Sequence, residues 1–239
     1  MKNKLYVLIG IILFIVEYII VCIIQIDDMG TWRGLSFGDE IPAQIFYFII
    51  FFLGCFLISH EMEYYFNQEG IVCLIRNKKR RSLYLKIYRK LAIRLLLYRL
   101  LECGIYTFLS VGKFNKIDIP SVMIGFLYNI IASFILMAIQ INIEIRASSE
   151  HAIWIIGIIY FITTILGTII HCYIALKIKL FDMINILLIP NYLYLSRVDV
   201  MKDTASDMWI NLLLLLIFIA VNIYFVYKIR FYEVIQKDE

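Results

Sequence analysis

Charge is scarce in this chain. Asp, Glu, Lys and Arg make up 18% of its 239 residues and hydrophobic residues 62%, against about 25% and about 45–50% in typical soluble domains. That balance excludes an ordinary soluble domain. Proline is nearly missing too. Of three prolines, Pro42 and Pro120 stand at the start of apolar runs, where the first helical turn tolerates a residue without an N–H. The five cysteines (Cys22, Cys55, Cys73, Cys103, Cys172) are scattered and odd in number, with no C-x-x-C pair, which argues against a disulfide framework or a metal cluster. His60, His151 and His171 each fall at the end of an apolar run. The sequence His60-Glu61-Met62-Glu63 has ligand-type side chains without metal spacing. Ser148 and Ser149 lack a G-x-S-x-G setting, and no pair of aspartates sits in neighbouring apolar runs. No catalytic constellation follows, so neither an enzyme nor a bound cofactor or metal is expected on this chain. There is no internal repeat, Gly/Ser linker or low-complexity tail, and residues 1–239 read as one membrane domain.

What the chain has instead is apolar sequence in runs of about 20 residues, enough to cross about 30 Å of hydrocarbon as a helix. An all-α polytopic membrane protein is expected, with six spans at about 5–26, 43–59, 93–111, 121–143, 152–170 and 209–229. The first run is too long for a signal peptide and no small-residue cleavage site follows it. If six helices alternate, Lys2, Lys4, nine basic residues between His60 and Arg94, Arg146, Lys228 and Arg230 share one side. Arg33, Lys113, Lys116, Lys177, Lys179, Arg197 and Lys202 share the other. The excess of Lys and Arg on the first side makes it cytoplasmic and gives an N-in, C-in orientation.

Two connections are long enough to carry a role of their own. In 60–94, an acidic aromatic stretch (Glu61 to Phe66) and Gln68-Glu69-Gly70 lead to the apolar Ile71-Val72-Cys73-Leu74-Ile75. The basic run Arg76, Lys78, Lys79, Arg80, Arg81 follows. From Ser82 the pattern is helical, with Leu83, Ile87 and Leu91 on one face and Lys86, Arg89 and Lys90 on others. An amphipathic helix at the inner membrane surface is predicted. It would bind lipid headgroups, worth about 1 kcal/mol per basic residue, or dock a cytoplasmic subunit, or both; nucleic acid is not an expected partner. The second connection, 171–207, is placed outside. Its apolar piece from Phe181 to Pro190 is about half a span long, which suggests a re-entrant or interfacial element. The following tail, 191–207, reads as polar with Tyr192 and Tyr194 as anchors.

The spans, the basic loop after the second of them and the half-inserted piece before the last resemble the permease subunit of an ABC-2-type transporter. The run E-Y-Y-F-x-x-E-G-x-x-x-L-I-R-N-K-x-R-R over Glu63–Arg81 is similar to small permeases of bacterial peptide and bacteriocin-immunity exporters. The topology covers nearly the whole chain and the motif about twenty residues. The resemblance implies ATPase coupling through Glu63, Glu69, Gly70, Ile71, Leu74, Ile75, Arg76, Arg80 and Arg81, and re-entrant extracellular helices within 174–190. It also implies a second permease copy or homologue. No G-x-x-x-x-G-K-[ST] phosphate loop is present, so ATP hydrolysis belongs to separate ATP-binding cassette subunits. The implied function is export of a peptide, lipid or other amphipathic compound across a bacterial plasma membrane. Heavy use of Ile, Lys, Asn and Tyr fits an AT-rich bacterial genome. The alternative is an accessory membrane protein that binds a peptide or signalling partner without transport.

Ionisable residues inside spans are functional candidates by default. Glu17 lies in the first span, where it could meet substrate, pair with Arg99 or hold helices together. Arg99 and Glu102 are three apart on one face of the third span, placed for an ion pair. Asn129, Gln140 and Asn142 in the fourth can bond across helices, each worth around 1 kcal/mol. Glu17, Arg99, Glu102, Asn129 and Gln140 are the substrate-path candidates.

Overall fold

Every regular stretch in the computed structural model is helical. It describes positions 8, 11, 12, 14–16, 19, 34 and 36–38, then residues 41–59, 80–109, 119–144, 146–174, 182–204 and 208–228. Among the described residues run seven α-helices and no strand. They are α1 (Ile41–Ile58), α2 (Arg80–Leu109), α3 (Ile119–Glu144), α4 (Ser149–Ile169), α5 (Asp182–Asn185), α6 (Leu195–Thr204) and α7 (Met208–Lys228). A π-helical turn, Ile170–Ile174, extends α4, and a 3₁₀ turn, Ile189–Leu193, joins α5 to α6.

Local sequence accounts for several of these bounds. α2 is one helix of 30 residues, in which the basic amphipathic stretch from Ser82 runs into the apolar stretch from Ile93. No proline or glycine lies between the two to break it. α4 starts at a capping serine: Ser148 Oγ accepts the His151 N–H at 3.3 Å, and Glu150 places negative charge in the first turn, where the helix dipole favours it.

The predicted span at 5–26 lies mostly outside the described residues. The other five fall on α1, the second half of α2, α3, α4 and α7. Among the described residues only two helical stretches are long and apolar enough to cross a membrane, Met123–Glu144 and Ser149–Ile174, rather than the six expected, while Ala43–Phe56 and Leu213–Tyr224 are shorter apolar helices. α2 combines an apolar half with a basic half, so its length does not translate into an apolar span of the same length.

α3 is the hub, packing against α1, α2, α4, α6, α7 and the 3₁₀ turn. Its small residues Ala132 and Ser133 are fully buried, and Tyr128, Ile135 and Leu136 fill the core with Ile156 and Tyr160 of α4. The outer faces are apolar: Leu97 on α2, Trp154, Ile158 and Ile162 on α4, and Leu213 and Leu216 on α7 are all exposed. Polar residues go the other way, with Gln44, Arg99, Ser133, Gln140, Asn191 and Arg197 buried. That distribution suits helices bathed in hydrocarbon.

The tail at 191–207 departs from its expected place. Tyr192 and Tyr194 are not interfacial anchors; with Leu193, Val198 and Met201 they belong to the main core cluster. Arg197, counted above among the outer loop charges, is 0% exposed. Two glycines admit the segment. A Cβ on Gly125 of α3 would lie 2.9 Å from Leu195 Cδ1, and one on Gly167 of α4 would lie 2.9 Å from Asn191 Oδ1. Asn191, Tyr192 and Arg197 make side-chain hydrogen bonds inside the bundle, which lets this polar stretch be buried.

Candidate functional site

Two polar clusters lie inside the apolar helices. The first begins on α2, where Arg99 and Glu102 sit one turn apart and form an ion pair at 2.5 Å. Arg99 Nη2 donates to Ser133 Oγ of α3 at 2.9 Å. Ser133 Oγ donates in turn to Asn129 Oδ1 at 3.4 Å, and Asn129 Nδ2 donates to the Leu193 carbonyl of the 3₁₀ turn at 2.7 Å. A buried charge is tolerable only when paired and hydrogen-bonded, and Glu102 and Ser133 meet that need at the two terminal nitrogens of Arg99. Helical spacing places all four: i, i+3 on α2, and i, i+4 on α3.

The second cluster surrounds Arg197 of α6. Its Nη1 donates to Asn191 Oδ1 at 2.8 Å and the Thr164 carbonyl at 3.2 Å. Its Nη2 donates to Thr168 Oγ1 at 3.0 Å and the Ser36 carbonyl at 3.3 Å. The guanidinium also faces the ring of Phe37, with 4.8 Å to the centroid. Asn191 Nδ2 bonds the Asn185 carbonyl at 3.0 Å, and Gln44 Nε2 of α1 reaches Thr168 Oγ1 at 3.4 Å. Nearby, the Tyr192 hydroxyl donates to the Ile186 carbonyl at 2.7 Å and lies 3.2 Å from Asn211 Oδ1 of α7. Burial pushes the Tyr192 and Tyr194 phenols above their ordinary range, so both stay neutral donors.

Between the clusters, the hydroxyls of Tyr160 on α4 and Tyr194 share a hydrogen bond. The Tyr160 ring stacks on Phe51 of α1, with 4.3 Å between centroids and planes 9° apart. The Arg197 guanidinium lies 5.8 Å from the centroid of the Tyr194 ring.

Of the sequence-predicted path residues, the structure brings together Arg99, Glu102 and Asn129. Gln140 stands apart, donating to the Cys55 carbonyl of α1 at 3.0 Å, and Asn142 bonds Asn222 of α7 at 2.5 Å. Glu17 lies outside the described residues, as do Glu63, Glu69, Gly70, Ile71, Leu74, Ile75 and Arg76. Arg80 and Arg81 open α2. Sequence reasoning passed over Ser133, Tyr160, Thr168 and Asn191, and it placed Tyr194 as an anchor and Arg197 among the outer loop charges. The one available signal was an arginine a few residues beyond a half-span apolar element, and a loop charge of that kind is ordinarily solvated.

Chemically, these clusters hold and orient. Among the described residues no three His, Cys, Asp or Glu side chains gather to hold a metal ion. The polar groups present are amides, hydroxyls, carbonyls, two guanidinium groups and the Glu102 carboxylate, suited to binding polar groups by hydrogen bonds.

The chain belongs to the family described as "protein of unknown function (DUF2705)", whose model matches residues 2–233. No curated protein and no solved structure matches it. The resemblance to ABC-2-type permeases is thereby corrected, since the match over nearly the whole chain is to DUF2705. The motif over Glu63–Arg81 covers about twenty residues, and a basic loop beside apolar runs is what the positive-inside rule puts in many multi-pass proteins.

Proposed function

We propose that this chain is the membrane-embedded, permease-type subunit of a transporter whose ATP hydrolysis is carried by a separate chain. The observation that supports this reading best is the polar cluster of Glu102, Arg99, Ser133 and Asn129, set inside helices whose outer faces are apolar. Intramembrane ionisable groups facing a bundle interior commonly mark a path for polar cargo. In this reading the chain is a single membrane domain with six spans, N-in and C-in, in a bacterial plasma membrane, and 174–190 forms a half-inserted element on the outer side. The cytoplasmic loop 60–94 seats the ATPase through Glu63, Glu69 and Ile71–Ile75, with Arg76, Arg80 and Arg81 facing acidic rim residues or lipid headgroups. A second copy or homologue completes the path, and the cargo is a peptide, lipid or other amphipathic compound.

The test is purification of the tagged protein from its native membrane in mild detergent, with co-eluting chains identified by mass spectrometry. A stoichiometric ATPase is expected. Its recovery should fall on the order of tenfold, about 1.4 kcal/mol, in the double variant Arg80→Glu, Arg81→Glu. A chain that elutes alone, or only with itself, under conditions that preserve other transporters, would overturn the proposal in favour of an accessory binding protein.

A further inference from the structure

We infer that the outer face of α4 is a lipid-contact surface whose two aromatic ends, Trp154 and Tyr173, mark the boundaries of the hydrocarbon layer, so that the Arg197 side chain is held within that layer. The inference goes beyond the transport reading and does not depend on it. Trp154, Ile158, Ile162, Leu166, Ile169 and Tyr173 follow one another along the exposed side of the helix. Between the two aromatic residues every exposed side chain is isoleucine or leucine. Just before Trp154 the chemistry reverses, with Arg146, Ser148, Glu150 and His151 exposed. Tyr173 follows Trp154 by 19 residues, a rise of about 28 Å at about 1.5 Å per residue, against about 30 Å of hydrocarbon. Tryptophan and tyrosine favour both membrane–water interfaces. Thr163, half-buried at the edge of the face, donates its hydroxyl to the Ile159 carbonyl at 2.6 Å, which satisfies it without water.

The same face is poorly made for a second helix. Helices that associate in lipid approach each other over small residues, and the small residues of α4 all point the other way. Ala152 is 0% exposed, and the places where Gly157 and Gly167 would carry a Cβ lie 2.9 Å from Phe52 Cε2 and Asn191 Oδ1. Lipid chains, which adapt to a rough surface of isoleucine and leucine, are the occupant that fits. The depth of Arg197 follows from its bonds to this helix. Thr164 stands about midway between the two aromatic ends, and its carbonyl accepts Arg197 Nη1 at 3.2 Å; Thr168, one turn further, accepts Nη2 at 3.0 Å. These acceptors lie about 15 and 21 Å along the helix from Trp154. At that depth acceptors from α4, Asn191 and the Ser36 carbonyl take the place of water around the charge.

Tryptophan quenching in phosphatidylcholine vesicles tests this, with lipids brominated either near the headgroup or near the chain ends. With Trp32→Phe and Trp209→Phe, Trp154 is the one tryptophan left. Two further proteins add Trp154→Phe together with either Tyr173→Trp or Ile162→Trp. Trp154 and the tryptophan at 173 should be quenched at least about twofold more by bromine near the headgroup, and the tryptophan at 162 should show the reverse order. A tryptophan at 162 that no brominated lipid quenches would mean that protein, such as a second copy of this chain, covers the face, and would overturn the inference. Equal depths for all three positions would overturn it too. The Trp154 protein keeps the native side chain on α4, so stronger quenching there by chain-end bromine is decisive even if a substituted helix packs poorly. Neither cargo nor ATPase enters this readout, and the transport reading is decided separately by the co-purification.

Discussion

Arg197 is the residue whose environment defies its type. It is fully buried, and its two terminal nitrogens bond acceptors in three separate parts of the chain: the backbone at Ser36, Thr164 and Thr168 of α4, and Asn191 of the 3₁₀ turn. Only a planar fork with several fixed donors can serve so many directions at once. Lysine keeps the charge and loses the fork. Arg197→Lys should therefore destabilise the protein by about 1–3 kcal/mol, the range for leaving buried polar groups unpaired, and lower its thermal midpoint in detergent. A midpoint equal to the parent's would show that the four contacts are energetically neutral.

At the scale of elements, the decisive packing is the approach of the 189–197 segment to α3 and α4. Gly167 permits it on the α4 side, because the Asn191 side chain that fills the space of its missing Cβ is itself tied to Arg197 and Asn185 and cannot step aside. Gly167→Ala should cost about 1–3 kcal/mol through overpacking, measured by the same detergent unfolding. Gly104 on α2 is the internal control, since nothing lies within 4 Å of a Cβ there. Gly104→Ala should leave stability unchanged or raise it by up to about 1 kcal/mol, the helix-propensity gain. If both glycines tolerate alanine alike, the close approach is not what restricts position 167.

For the whole molecule, the proposed arrangement of six spans with both termini inside makes a sharp prediction about sidedness. Reporter fusions after Lys4, within 82–86 and after Tyr232 should all read cytoplasmic, and fusions within 113–117 and 202–206 should read external. One fusion reading the opposite side with full signal would require a different span count. This outcome bears on coupling as well, because an ATPase can reach loop 60–94 only if that loop faces the cytoplasm.

Composition and the length of the apolar runs determined that the described structure is helical and that it contains helices apolar enough to cross a membrane, since these are sums over many residues and do not depend on which helix meets which. The i, i+3 relation of Arg99 and Glu102 was legible for the same local reason, and the structure places them in an ion pair. Tertiary structure alone decided that Ser133 and Asn129 carry that pair across to Leu193, that Tyr160 meets Tyr194, and that Arg197 leaves the solvent. Each of those contacts joins positions 34 to 161 apart in sequence or turns on burial. A polar tail looks the same on the page whether water or a ring of carbonyls receives its hydrogen bonds; only the packing of the other helices around it distinguishes the two.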